Sequence, residues 1–329
     1  MKIGIIGGTG MLGHHLAIAA QLRQYEVVII HRQDSNLDRI KDLQFESRVA
    51  DLDDRGSLIR ALKGLDFIAN CAAYYPTVPK PLHQEIKTAR LQMQFFLDAV
   101  EASGCQKAMY VGGAIAIPKN ENGLGKEDLF YPQAPENQNP YLQVKWLMDE
   151  MARAGASKGL PVVIGIPTMT FGEYDYGPTT GRLIVDLANE DLPAYITGLR
   201  NVVAARDAGR GLLLVLEKGR VGERYLISGE NTSIETLVST ISEIANVPVL
   251  KKTLPLGLAQ FVSKLQEIKY TLFRGTPPTL SATAIAVLSS GQHIDGTKAK
   301  EELGYEPDLS AKDAIWSAYH WFKKEGYIE

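Results

Sequence analysis

Two cysteines, Cys71 and Cys105, are all that the 329 residues contain. They cannot form a disulfide framework, and no CxxC pair signals a zinc or redox centre, so no metal site is expected and a reducing compartment fits best. A surplus of one charge is missing too: 35 Lys and Arg stand against 38 Asp and Glu, a net charge of -3. That balance lacks the basic excess of a nucleic-acid-binding or polybasic membrane-binding surface. No apolar run approaches the roughly 18 residues that a membrane-spanning helix needs. The opening MKIGIIGGTG enters a strand pattern at once, with no room for the basic and apolar regions of an export signal. These absences lead us to expect a cytoplasmic protein whose partner is a small molecule, with neither nucleic acid nor membrane involved.

What is present is a large apolar fraction, 45%, enough for one big domain or two joined ones. Short β-branched runs (KIGIIG, EVVIIH, SRVADL, DFIANCA, KAMYVGG and PVVIGIP) alternate with segments of helical period, notably MLGHHLAIAAQLR, SLIRALKG, LQMQFFLDAVEAS and YLQVKWLMDEMARAG. Such alternation specifies an α/β fold, a parallel sheet covered by the helices of right-handed βαβ units. A Pro/Gly/Asn-rich stretch at 118–140 interrupts the pattern and reads as a lid or substrate loop. Beyond residue 170 the alternation loosens into a smaller, mostly helical part. The helical segment near 255–274 carries only a weak pattern.

Strand KIGII runs into Gly7-Gly8-Thr9-Gly10-Met11-Leu12-Gly13 and then a helix, the setting in which a dinucleotide fingerprint has meaning. Glycines permit the tight turn and let the backbone approach a pyrophosphate, whose charge meets free N–H groups and the positive end of the helix dipole. His14 and His15 follow in the first helical turn, where packing or surface exposure accounts for them more simply than a phosphate contact. At the end of the second run, where an acid would bond a ribose 2'-hydroxyl, stand His31 and Arg32, with no acid before Asp34. Arg32 can pair a 2'-phosphate, so NADP(H) is favoured and NAD(H) remains open; the plainer alternative is a solvated strand-end charge.

On these residues the chain resembles the extended short-chain dehydrogenases/reductases of the epimerase/dehydratase group, near their dihydroflavonol-reductase-like and nucleotide-sugar-epimerase-like members. The matching stretches are GGTGMLG at 7–13, Asp51-Leu52, Asn70-Cys71-Ala72-Ala73, Tyr141-Leu142-Gln143-Val144-Lys145 and IPTMTFG at 166–172. RNVVAARDAGRGLL, GERYLISGEN and DGTKAKEELGYEP resemble later family segments, so the likeness spans nearly the whole chain. It implies a Rossmann-type doubly wound sheet over 1–170, rejoined by 200–230, with a substrate-binding part made of 171–199 and 231–329. It further implies that Asp51 and Leu52 hold the adenine, that Cys71, Ala72, Ala73, Val111 and Gly112 line the cofactor channel, and that Pro167, Thr168 and Met169 border the nicotinamide amide. A homodimer built on helices 85–103 and 141–156 is also implied.

Tyr141 and Lys145, spaced i,i+4 on an expected helix, share one face. A phenol is a poor acid–base group at neutral pH unless positive charge lies near, which Lys145 and an oxidised nicotinamide could supply. The resemblance makes Tyr141 the proton donor in reduction. One departure stands out. The family's fifth strand ends in a Ser or Thr, but here it ends in Gly112-Gly113, and no Ser or Thr occurs anywhere between Gly104 and Ala156. Loss of one preorganised donor costs on the order of 10² to 10³ in kcat. Three accounts stay open: a backbone N–H near Gly113 or a water polarises the substrate, Tyr74 or Tyr75 reaches in, or the chain binds NADP(H) without turnover. Under the first two, Gly113→Ser is expected to raise the rate.

The substrate is expected beside Tyr141, among Tyr74, Tyr75, Pro76, the 118–140 loop and the segment from Glu173 to Arg182. Arg182 and Arg200 are candidate cations for a diphosphate, or else members of ion pairs; Tyr74, Tyr75 and Tyr131 suit either an apolar pocket or packing. The sequence therefore points to an NADP(H)-dependent oxidoreductase acting on a carbonyl/alcohol pair. The alternatives are a nucleotide-sugar epimerase or dehydratase and a non-catalytic NADP(H)-binding redox sensor.

Overall fold

The run KIGII forms strand β1 (Lys2–Ile6), buried along almost its whole length, and the glycine turn delivers the chain into helix α1 (Met11–Leu22). Next come β2 (Glu26–His31), β3 (Glu46–Val49), α2 (Arg55–Leu62), β4 (Phe67–Asn70), α3 (Leu82–Ser103) and β5 (Lys107–Val111). A two-residue strand β6 (Leu124–Gly125) precedes α4 (Pro140–Ser157), β7 (Val162–Pro167), β8 (Met169–Phe171) and α5 (Arg182–Ala188). Then follow β9 (Leu199–Ala204), α6 (Ala205–Lys218), β10 (Arg224–Ile227), β11 (Glu230–Ser233), α7 (Ile234–Ala245), α8 (Leu256–Phe273), β12 (His293–Ile294) and α9 (Ala311–Lys324). The computed structural model describes residues 1–76, 80–178, 180–273, 285 and 290–329.

Seven strands lie in the order β3-β2-β1-β4-β5-β7-β10, each pair of neighbours parallel. Both faces are covered, which is why the strands read as continuous apolar runs and not as alternating ones. On one face Met93, Phe96, Val144 and Met148 pack on Ile6, Ile30, Ile68 and Tyr110. On the other, Leu16, Leu212 and Val215 meet Ile5, Ile29, Met109 and Val163. Strand order reverses between β1 and β4, and a crevice opens there past the carboxyl ends. Of the segment 200–230, α6 and β10 join this sheet, whereas β9 pairs with β8 and β11 in a second sheet. That smaller sheet and helices α5, α7 and α9 share a third core around Phe171, Ile184, Leu237, Ile315 and Phe322. Among the described residues no helix is long and apolar enough to cross a membrane.

Two features differ from the sequence pattern. Helix α3 begins at Leu82, well before the periodic run LQMQFF; its first turns direct inward the buried polar Glu85, which hides the apolar period there. The 118–140 loop is also tied down: β6 pairs with β12, and the buried Arg224 side chain reaches it from β10. The Arg224 guanidinium donates to the carbonyls of Glu127 and Leu129, the latter at 2.6 Å, and pairs with Asp149 at 3.3 Å. It also stacks 3.9 Å from the Phe130 ring centroid, while the Glu127 carboxylate accepts the Leu226 N–H at 2.9 Å.

Candidate functional site

A cleft of about 390 Å³ lies at the crevice past β1, β4, β5 and β7. Its base is the glycine turn. Gly7 adopts φ +82°, and a Cβ there would stand 2.8 Å from that of Ala72, so the β1 and β4 ends can abut only around glycine. A Cβ on Gly13 would lie 2.4 Å from the Gly7 carbonyl oxygen, which makes that glycine the condition for α1 to pack on the turn. Helix α1 starts without a side-chain cap and with no acid in its first turn. By contrast α2, α4, α7 and α9 are capped by Asp54, Asn139, Ser233 and Ser310. The α1 amino end, with Gly10 and Thr9 beside it, is thus open to an anion. These features fit a dinucleotide.

Met11 and Leu12 of that turn, Cys71 and Ala73 after β4, Val111 and Gly112 at the end of β5, and Pro167, Thr168 and Met169 after β7 all line the cleft. Burial pushes the Cys71 thiol up to about 12, so it is a neutral wall group. Arg32 lies past the end of β2, about two-thirds exposed and 3.5 Å from Asp34; the neighbouring His31 ring is fixed by Ser47 Oγ at 2.7 Å and its own chain's Arg32 carbonyl at 2.8 Å. Asp51 follows β3 and accepts the Asp53 N–H at 2.9 Å, with Leu52 packed on the core.

Asn139 caps α4 through the N–H groups of Tyr141 and Leu142, and Pro140 at the first turn suits the helix start. Tyr141 and Lys145 then project side by side against Gly113. A Cβ on Gly113 would stand 3.1 Å from Tyr141 Oη and 3.3 Å from Lys145 Cγ. Tyr75 leans on the same phenol, its ring centroid 4.7 Å from that of Tyr141 at 57°. Burial holds the Lys145 ammonium down at about 8. Burial first, and the Tyr75 phenol second, push Tyr141 well above the ordinary phenol range. The pair is therefore assembled, and Tyr141 is protonated at neutral pH.

The remaining expected residues separate. Tyr74 donates its hydroxyl to the buried Glu85 and leaves the cleft to Tyr75. Arg182 is largely exposed and pairs with Asp186 at 2.6 Å, away from the cleft wall, as is Tyr131; Thr179, within the 173–182 segment, lies outside the described residues. Arg200 does line the cleft, 4% exposed, with its guanidinium against Gly291. His14 and His15 are packing residues: His14 stacks 3.6 Å from the Tyr174 ring and bonds Asp42 at 3.0 Å, and His15 meets the Glu173 carbonyl at 3.3 Å. Thr180, from the expected 173–182 segment, also lines the cleft, as do Asn201 and Gln292, which no local pattern in the sequence marks.

Residues 3–228 match the model of the NAD dependent epimerase/dehydratase family. A nucleoside-diphosphate-sugar epimerase from Pseudomonas aeruginosa has a similar crystal structure, TM-score 0.85 and 38% identity, covering 100% of this chain and 99% of that one. A putative dihydroflavonol 4-reductase from Synechocystis sp. is 27% identical over 99% of this chain and 95% of its own length. Sterol demethylase protein B of Methylococcus capsulatus is 27% identical over 98% of this chain and 99% of its own. The crevice at the strand reversal, the uncapped α1 behind its glycine turn and the matched span together place the chain in the NAD dependent epimerase/dehydratase family, as an enzyme of the extended short-chain dehydrogenase/reductase type.

Proposed function

We propose that this enzyme is an NADP(H)-dependent oxidoreductase acting on a carbonyl/alcohol pair, with Tyr141 as proton donor or acceptor and Lys145 as its cationic neighbour. The observation that carries this reading is the Tyr141–Lys145 pair on one face of α4, pressed against Gly113 in a cleft that begins at the glycine turn. Residues 7–13 would hold the pyrophosphate, Arg32 the 2'-phosphate, Asp51 and Leu52 the adenine, and Pro167 to Met169 the nicotinamide amide. When bound, the nicotinamide supplies or accepts the hydride. Tyr141, kept protonated by burial, has its proton ready for a carbonyl oxygen as negative charge develops there; in the reverse direction it accepts a proton once nearby positive charge lowers its pKa. Lys145 supplies that charge below about pH 8.

In this reading residues 1–170 with 200–230 bind the cofactor, while 171–199 and 231–329 bind substrate; a cytoplasmic location and a homodimer across α3 and α4 accompany it. The relative called a putative dihydroflavonol 4-reductase supports the carbonyl-reducing assignment. A second reading, a nucleotide-sugar epimerase or dehydratase, is favoured by one feature, the buried Arg200 on the cleft wall, a cation suited to a diphosphate.

The test is calorimetric binding of NADPH and NADH to wild type and Arg32→Ala, followed by carbonyl-dependent NADPH oxidation by wild type and Tyr141→Phe. We expect Arg32→Ala to weaken NADPH about tenfold, roughly 1.4 kcal/mol, to leave NADH unchanged, and Tyr141→Phe to abolish turnover. NADPH binding without turnover of any carbonyl would move the assignment to the redox sensor.

A further inference from the structure

The cleft poses a specific question, which group donates to a substrate oxygen where Gly113 offers no hydroxyl. Six hydroxyls line it: Tyr75, Tyr141, Thr168, Thr170, Thr180 and Ser290. Most are committed elsewhere. Thr168 donates to Asn201 Oδ1 at 2.8 Å, Thr170 to the Thr168 carbonyl at 3.0 Å, and Thr180 to the Thr170 carbonyl at 2.8 Å. Ser290 also has a partner. The lining amides are spent as well: Asn201 Nδ2 donates to Gly229 and Asn231, and Gln292 Nε2 to the carbonyls of Ala114 and Ile117. Tyr74, the other tyrosine of the β4 turn, is bound to Glu85. Among the described residues, only the hydroxyls of Tyr75 and Tyr141 line the cleft with no hydrogen-bond acceptor of their own.

We propose that Tyr75 supplies the hydroxyl that Gly113 lacks, so that the phenols of Tyr75 and Tyr141 together hydrogen-bond the carbonyl oxygen of the substrate. This rests on the oxidoreductase reading. Tyr75 stands on the chain after β4 and Tyr141 on α4, yet their rings lie 4.7 Å apart, tilted by 57°, and the two phenols are near enough for Tyr75 to raise the pKa of Tyr141. Burial raises Tyr75 as well, which keeps it a donor. In the direction of reduction the carbonyl carbon accepts a hydride from NADPH, the carbonyl π pair moves onto oxygen, and that oxygen takes the Tyr141 proton. The Tyr75 O–H bond stays intact throughout and stabilises the developing charge. Gly113, with no side chain, leaves open the space beside the Tyr141 hydroxyl.

The experiment separates the two hydroxyls from turnover by using 4-nitrophenolate, a coloured mimic of the charged oxygen, titrated into wild type, Tyr75→Phe and Tyr141→Phe with and without NADP⁺. Because phenylalanine keeps the ring contact, the substitution removes the donor alone. Two donors should lower the apparent pKa of bound 4-nitrophenol below its free value, each phenylalanine variant should weaken nitrophenolate about tenfold, and Tyr75→Phe should do so with NADPH affinity unchanged. With 9,10-phenanthrenequinone as carbonyl probe, Tyr75→Phe should lower kcat about 10²-fold with the NADPH KM unmoved. Equal nitrophenolate binding by wild type and Tyr75→Phe overturns the proposal, as does a wild type that does not bind it. Failure to bind or oxidise NADPH instead overturns the oxidoreductase reading, and a nitrophenolate difference that survives that failure still identifies Tyr75 as the oxyanion donor.

Discussion

Replacing Gly113 by serine is the obvious way to restore the family's missing hydroxyl, and the sequence alone leads one to expect a faster enzyme. The geometry reverses that expectation. Gly113 sits at φ -133°, ψ 134°, ordinary extended backbone that any residue adopts, so the cost is not conformational. It is steric: the added Cβ would lie 3.1 Å from Tyr141 Oη, 3.3 Å from Lys145 Cγ and 3.4 Å from Lys145 Cδ, inside normal contact for the first two. Tyr141 must retreat by a few tenths of an ångström. Overpacking of this kind costs about 1–3 kcal/mol, offset by about 0.4–1 kcal/mol from a stiffer unfolded chain, so the Tm should fall by no more than a few degrees. A misplacement of 1 Å can cost about 10²-fold in rate, which scales to roughly four- to tenfold here. Gly113→Ala imposes the same shift without a hydroxyl and serves as the control. Single-turnover NADPH oxidation should rank wild type above both variants, with serine no more than a few-fold above alanine because Tyr75 already donates. A serine variant ten times faster than wild type, or an alanine variant with unchanged rate and Tm, would refute the reasoning.

Three further outcomes follow from buried charge. Lys145 titrates at about 8 when folded against 10.5 ordinarily, so the unfolded chain binds more protons between those values and stability rises with pH across that window; below it the penalty is constant, about 3 kcal/mol. Lys145→Met should therefore be more stable than wild type at pH 7, by a margin that shrinks toward pH 10 in thermal melts of the cofactor-free protein, and a margin independent of pH would contradict the assignment. His15, lowered to about 4 by burial although Glu173 partly opposes this, likewise binds fewer protons folded than unfolded between about 4 and 6.5. Its contribution is present above 6.5 and lost as pH falls to 4, so His15→Gln should flatten the stability profile there in urea titrations. Arg224→Met should cost about 3–5 kcal/mol, because it leaves Asp149 buried with its charge less compensated, and should expose residues 126–131 to proteolysis; a loss under 1 kcal/mol would show that the loop is held by other contacts.

The sheet was legible because its strands are buried on both faces and so announce themselves as continuous apolar runs, and the glycine turn because each glycine answers a local steric demand. Helix α3 was half legible: its later turns carry an apolar period, but Glu85 occupies the inward face of the earlier ones, and burial of a polar group with its partner elsewhere leaves no periodic trace. The Tyr141–Lys145 pair could be read from i,i+4 spacing, since helix geometry alone puts both on one face. What they face could not. Arg224, Asp149 and Glu127 come from β10, α4 and the 118–140 loop, and their association depends on the β7–β10 pairing that the sheet imposes.

Hydrogen-bond allocation is the deepest of these non-local properties, and it decides how Gly113 should be understood. Compared position by position, the chain has lost a donor, because a linear reading asks only whether a hydroxyl occupies a given place. A carbonyl oxygen responds instead to every donor that converges on it, whichever strand supplies it. Thr168, Thr170 and Thr180 line the cleft with the right chemistry, yet each hydroxyl is consumed by a neighbour, so composition overstates what is available. Tyr74 and Tyr75 are adjacent in sequence and equal in type, yet strand-end geometry sends one to Glu85 and the other against Tyr141. The same fold that commits those hydroxyls leaves Tyr75 uncommitted beside the Tyr141 phenol. The absence at 113 and the presence at 75 then meet at Tyr141: the Cβ that Gly113 lacks would crowd its hydroxyl, and Tyr75 leans on its ring.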